Sequence, residues 1–144
     1  MPLNEKQTNK SNAVGCNYAQ LNKNKMKNDT LKEQEIRLYC DDNQLSKLDV
    51  SCNTVLQALY CQNNQLTTLD VSRNKALKRL DCSNNQLTTL DVSRNTALKR
   101  LSCYNNQLTT LDVSCNTALV YLNATGNNIS KAEQARIQET WPSC

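Results

Sequence analysis

The residues of this 144-residue chain that could do chemistry are eight cysteines and thirteen carboxylates; histidine is absent. Four of the cysteines, Cys40, Cys61, Cys82 and Cys103, recur every 21 residues, and so do Asp49, Asp70, Asp91 and Asp112. Grouped thiols invite a metal or redox centre. A zinc site needs ligands that converge on one point, commonly as closely spaced cysteine pairs. There is no Cys-x-x-Cys pair here, and evenly spaced thiols lie in line rather than around a point. They read as buried free thiols that serve as small apolar side chains. Neighbours in the line come within disulfide distance, but parallel Cβ directions argue against a bridge. Cys52 and Cys115 stand three periods apart, too far to pair, and Cys16 and Cys144 belong to opposite end regions. The aspartates invite a calcium reading, but the glycines of a calcium-binding repeat are missing. A solvated acidic edge near Arg73 and Arg94 is the expectation. With no nucleophile–base pair and no convergent ligand set, no catalytic residue, metal or cofactor is expected.

The period itself is the dominant feature. The ten residues 84–93, Asn-Asn-Gln-Leu-Thr-Thr-Leu-Asp-Val-Ser, stand unchanged at 63–72 and 105–114, with a looser copy at 42–51. A fixed spacing in this range marks a solenoid. Within one unit the apolar residues are Leu77, Leu80, Cys82, Leu87, Leu90, Val92 and Ala97. Leu80-x-Cys82 and Leu90-x-Val92 alternate with polar residues, as half-buried extended chain does. No window has helical spacing. The unit is therefore a flattened coil, with a strand on its first side and extended or 3₁₀ backbone on its second. Burial within one such coil does not offset the entropy of ordering it. Stability must come from stacking each turn on the last.

Residues 77–87 read L-x-x-L-x-C-x-x-N-x-L. This resembles the leucine-rich repeat, whose signature has L-x-x-L-x-L-x-x-N/C-x-L at that place. The nearest form is the short 21-residue bacterial one of the internalin kind, which carries a cysteine at the sixth position and so a cysteine ladder. The resemblance covers residues 35–130. It implies a solenoid with a parallel β-sheet on one side, and side-chain amides of the column Asn43, Asn64, Asn85, Asn106 and Asn127 bonded to backbone at the bend. A second asparagine column is Asn53, Asn74, Asn95 and Asn116. The resemblance also implies a binding module that acts outside the cell or at its surface.

Three regions follow. Residues 1–34 are polar and too poor in apolar side chains to build a core, so they read as a tail and a cap; Thr30-Leu31-Lys32-Glu33 fits a capping box. Residues 35–130 form about five rungs, the first degenerate because Glu35 stands where leucine is expected. Residues 131–144 hold a capping helix: Ser130-Lys131-Ala132-Glu133 is a second box, helix formers follow to Glu139, and Trp141-Pro142 ends them. Ala13-Val14-Gly15-Cys16 looks like a lipid-attachment box, but the polar residues before it do not make a signal peptide. No apolar run approaches membrane-spanning length. Lys and Arg exceed Asp and Glu, 17 to 13, mostly in the N-terminal segment, without a nucleic-acid stripe. Adjacent threonines such as Thr88 and Thr89 differ from the T-x-T of ice-binding solenoids, and only one of each pair is expected to face outward.

Around the first strand the copies differ, whereas elsewhere they are nearly identical. The varying outward residues include Arg37, Tyr39, Tyr60, Arg79, Asp81, Arg100, Tyr104 and Tyr121. Four of the five tyrosines are among them, interleaved with arginines, and these two types are enriched at binding hot spots. A constant frame with a varying Tyr/Arg face reads as a docking surface for a protein, with a glycan as the lesser candidate. A monomer that neither binds nucleic acid nor inserts in a membrane is expected. The alternative is a structural spacer or stalk segment of a larger surface protein.

Overall fold

The computed structural model describes residues 13–14 and 35–141. Cys16, Cys144, the Thr30–Glu33 box and most of the expected tail and cap lie outside these residues. Among the described residues seven short strands and one helix follow in order: β1 (Ala13–Val14), β2 (Arg37–Tyr39), β3 (Lys47–Leu48), β4 (Ala58–Tyr60), β5 (Arg79–Asp81), β6 (Arg100–Ser102), β7 (Tyr121–Asn123) and α1 (Lys131–Thr140). Strands β2, β4, β5, β6 and β7 make one parallel sheet in that order. The register is the sequence period: Leu38, Leu59, Leu80, Leu101 and Leu122 lie side by side, each 21 residues beyond the last. A one-residue slip would turn every inward leucine to solvent, so this pairing is strongly specified. Separately, β1 pairs in parallel with β3 on the second side of the first rung.

The core is a narrow stack of repeated layers. Leu56, Leu77, Leu98, Leu59, Leu101, Leu66, Leu87 and Leu108 are fully enclosed, as are Val71 and Val92. Cys61, Cys82 and Cys103 have no exposed surface and Cys40 is 4% exposed; all four are free thiols at equivalent places in successive rungs. Leucine, valine and sulfur fill the space because a rung this thin has no room for rings. Ala97, by contrast, is only half-buried, and Val55 at the same place in the first rung is 51% exposed. That position sits at the corner where the second side turns back, outside the packed layer.

The second side is extended and bonds its neighbour sparingly. Gln65, Gln86, Gln107 and Asn128 each donate a backbone N–H to the leucine carbonyl one rung earlier, at 2.8–2.9 Å. Two tight turns in succession then return the chain to the sheet, as in Asn95 N–H to Val92 C=O (3.0 Å) and Leu98 N–H to Asn95 C=O (3.0 Å). Asn95 sits at the centre of this corner, and its Nδ2 donates to Val71 C=O (3.0 Å) and Asn74 C=O (2.9 Å) of the rung before. Asn74 and Asn116 repeat the arrangement. Among the described residues the Oδ1 of Asn74, Asn95 and Asn116 is buried without a donor, so these amides act as donors only.

The helix closes the last rung. Ser130 Oγ accepts the Glu133 N–H at 3.2 Å. Only this half of the expected capping box forms, because Glu133 turns its carboxylate to Arg136 in a two-pronged, charge-assisted pair at 2.7 and 2.9 Å. Ile137 is buried against the core, and Trp141 Nε1 donates to Leu119 C=O at 3.1 Å. These two side chains cover apolar surface that a further rung would otherwise cover.

Candidate functional site

Strand residues alternate between faces, so the residues on either side of the inward leucines lie on the outer face of the sheet. Each of the expected binding residues is on that outer face, though they do not form one group. At the N-terminal end Tyr39 stacks on Tyr60, ring centroids 4.8 Å apart and nearly parallel. Beside them Arg37 bonds Glu35 through Nε (3.0 Å) and pairs with it at 2.8 Å. The Arg37 guanidinium is raised above its usual pKa, chiefly by a hydrogen bond with Tyr39, with the Glu35 charge adding to it.

Arg79, Arg100, Asp81, Tyr60 and Tyr121 meet in the middle of the sheet around one open depression. The Arg100 guanidinium lies 5.0 Å from the Tyr121 ring centre, within cation–π range. Asp81 is less available than its position implied: its Oδ1 accepts the Ser83 N–H at 3.1 Å. Tyr104 is set apart from this group. It follows β6 rather than lying in it, and its hydroxyl accepts from Asn84 Nδ2 at 3.4 Å.

Glu35 is the site residue that sequence reasoning left out. It looks like a damaged leucine position, yet it bridges Arg37 and reaches to 3.9 Å from Arg79, two rungs on. The intervening residue at the place of Arg37 and Arg79 is Ala58, fully buried. Its short side chain leaves the space across which Glu35 and Arg79 approach. Lys78, Lys99 and Val120 also join the face, lining a second open groove with Glu35, Arg79 and Arg100.

Below the strands, the eighth residue of each rung adopts left-handed backbone: Asp42, Asn63, Asn84 and Asn105 have φ of 54°, 58°, 51° and 52°, and Gly126 has 67°. Asparagine and aspartate tolerate this region better than other side chains. Their side chains form an exposed ladder, Asn63 Nδ2 to Asp42 Oδ1 (2.6 Å), Asn84 to Asn63 (2.8 Å) and Asn105 to Asn84 (2.9 Å). Gly126 ends it, since a Cβ there would fall 2.1 Å from Asn105 Oδ1. The sequence signal for this feature is the asparagine repeated just before the Asn64, Asn85 and Asn106 column.

The columns read for chemistry resolve as structure. Burial lifts the Cys40 and Cys103 thiols to about 12, and those of Cys61 and Cys82 well above the usual range. Each exposed aspartate of the acidic column closes a local turn: Asp49, Asp70, Asp91 and Asp112 accept the N–H of the serine two residues on, all at 2.9 Å. The threonine expectation fails. Both members of Thr67/Thr68, Thr88/Thr89 and Thr109/Thr110 are exposed, because the chain bends at the first of each pair and strict alternation is lost. Among the described residues no group of three or more metal-ligating side chains comes together, and no helix is long and apolar enough to cross a membrane.

Comparison with known proteins follows the same lines. A family model for leucine-rich repeats, two copies, matches residues 54–95. The functional domain of InlJ from Listeria monocytogenes, described as including a cysteine ladder, matches with a TM-score of 0.60 and 37% identity, over 66% of this chain and 26% of that one. A leucine-rich repeat protein of Leptospira interrogans matches with a TM-score of 0.59 and 36% identity, over 62% of this chain and 24% of that one. The chain thus spans about a quarter of either structure. No curated protein matches it. The chain carries leucine-rich repeats of the short 21-residue kind, and they resemble those of internalin J.

Proposed function

We propose that the array is a non-catalytic docking module that holds a protein partner on its strand face, outside the cell or at a cell surface. One observation carries this reading. The packed layers and turn columns repeat almost without change, while the face around β2 and β4–β7 varies and presents tyrosine and arginine. A residue needed only for the fold would recur with the period, as the leucines and asparagines do. The place held in successive rungs by Arg37, Ala58, Arg79, Arg100 and Tyr121 changes instead, and Arg79, Arg100 and Tyr121 together with Tyr60 border one depression. Aromatic rings bury a large area with few torsions to fix, and a planar guanidinium can bond two acceptors at once, which suits both as anchors. The leucine-rich repeat fold supports a protein-interaction role, and the site residues are the proposal.

The test is an affinity capture from the source's surroundings, with the intact chain as bait beside an Arg79→Ala/Arg100→Ala/Tyr121→Ala variant of matched thermal stability. Partners held by the first and lost by the second support the face as the docking surface. Equal capture by both would leave the array as a spacer whose outer residues are incidental.

A further inference from the structure

Two columns run along the edge of the strand face where each chain enters the sheet. One is Gln57, Lys78, Lys99 and Val120; the other is Ala58, Arg79, Arg100 and Tyr121. The backbone locks their order, since the carbonyl of Lys78 accepts both the Lys99 N–H (2.8 Å) and the Arg100 N–H (3.1 Å), and that of Lys99 accepts the next pair. Four cations therefore stand on two neighbouring rungs, about 4.8 Å apart. They line an open groove of about 370 Å³ with Glu35 at one end and Val120 at the other.

Like charges on adjacent strands destabilise a sheet. The fold does not demand them here, because Gln57 and Ala58 fill the same two places one rung earlier, and Val120 and Tyr121 one rung later. Neutralisation from within is slight. Glu35 reaches Arg79 only at 3.9 Å and is shared with Arg37. Among the described residues Lys78, Lys99 and Arg100 make no ion pair. The charge is also short and bounded: Gln57 and Ala58 flank it on one side, with the Glu35–Arg37 pair beyond them, and on the other Val120, 65% exposed, and Tyr121, 41% exposed, give it an apolar margin. A long uniform polyanion would need the cations to continue along the sheet. A segment with a few carboxylates next to an apolar side chain fits what is present.

We propose that this groove takes an acidic segment of a partner protein, its carboxylates on Lys78, Lys99, Arg79 and Arg100 and an adjoining apolar side chain on Val120 and Tyr121. The proposal rests on the docking reading above and names the partner's chemistry. Charge-assisted, two-pronged bonds from arginine give the orientation, and the cations speed encounter.

Selection of displayed random peptides on the full chain tests it, followed by binding of the selected peptides to the chain and to a Lys78→Gln/Lys99→Gln/Arg100→Gln variant whose melting curve is unchanged. The expected result is enrichment of aspartate or glutamate beside an apolar residue, at least about tenfold weaker binding to the variant, and weakening with added salt. Peptides without carboxylates that need Tyr39 and Tyr60 instead would overturn the acidic partner while sparing the docking face. A chain that selects no peptide but binds heparin fragments through these lysines would overturn both in favour of a sulfated glycan.

Discussion

The Oδ1 of Asn85 accepts the backbone N–H of Leu66, one rung earlier, at 2.9 Å. Its Nδ2 donates to Cys61 C=O and Cys82 C=O, each at 3.0 Å. One short side chain thus ties together the strand end of its own rung, the strand end of the previous rung and the start of the previous second side. Asn64, Asn106 and Asn127 repeat this. The bonds of Asn85 are buried, so water does not replace them when they are lost.

Replacing Asn85 with alanine leaves a buried N–H and buried carbonyls short of partners. At roughly 1–3 kcal/mol for each such group, a loss of about 3 kcal/mol is expected in denaturant unfolding. Asn85→Asp does not rescue, because it keeps the acceptor for Leu66 and loses the donor. A loss below about 1 kcal/mol for Asn85→Ala would show that the amide is not the tie described.

The cysteines divide by exposure. Thiolate is the reacting form, and burial holds Cys40 and Cys103 at about 12 with Cys61 and Cys82 raised as well. Cys52 and Cys115 are exposed. Alkylation of the native chain at pH 8, mapped by peptide mass spectrometry, is expected to mark Cys52 and Cys115 and spare Cys40, Cys61, Cys82 and Cys103 until denaturant is added. Labelling of Cys82 at the rate of Cys115 in the folded chain would contradict the closed core.

The 21-residue period makes most of the frame legible, the strands of the five-stranded sheet and the inward leucines and thiols, while the Ser130–Glu133 box and Trp141-Pro142 mark the ends of α1. Periodicity works there because identical side chains in identical places must stack on one another. It is silent where the answer depends on how far unlike side chains reach between rungs. Glu35 approaches Arg79 only because Ala58 is small, and nothing in a single rung shows that. Tyr104 shares the outer face with Tyr121 but leans to Asn84. The threonine pairs depart from alternation for a related reason, since alternation holds along a strand and ends at a bend. The left-handed asparagines were within reach, because a polar residue repeated at one place in a turn points to backbone that few other residues adopt.

Acid is expected to loosen the array through its aspartates. Asp49, Asp70 and Asp91 are held below the usual carboxylate range first by the hydroxyl of the serine two residues on and then by its N–H; for Asp112 the N–H of Ser114 leads. A folded value below the unfolded one means that the unfolded chain takes up protons first. The stabilisation is complete above the unfolded value, near pH 4, and is lost as pH falls through the depressed folded values. Asp70→Asn/Asp91→Asn retains an acceptor for Ser72 and Ser93 and removes two titrations. Its melting temperature is expected to fall less steeply below about pH 4 than that of the parent. Parallel curves would remove these carboxylates from the acid response.

The C-terminal end tests whether the stack needs a lid. Ile137 is 6% exposed, although α1 shows mostly polar residues to solvent. Ile137→Ala removes apolar contact over the last rung, where Leu119 is itself 3% exposed. A loss of about 2–4 kcal/mol is expected. Trp141→Phe keeps a ring but takes away the donor to Leu119 C=O, at about 1 kcal/mol. In a solenoid each rung contacts only its neighbours, so the effect is expected to be local. Hydrogen exchange in Ile137→Ala should accelerate in residues 119–129 and leave Leu59 and Leu80 protected. Uniform acceleration through all five strands would mean that the rungs unfold as one unit, and that the helix supports the whole array rather than its last turn.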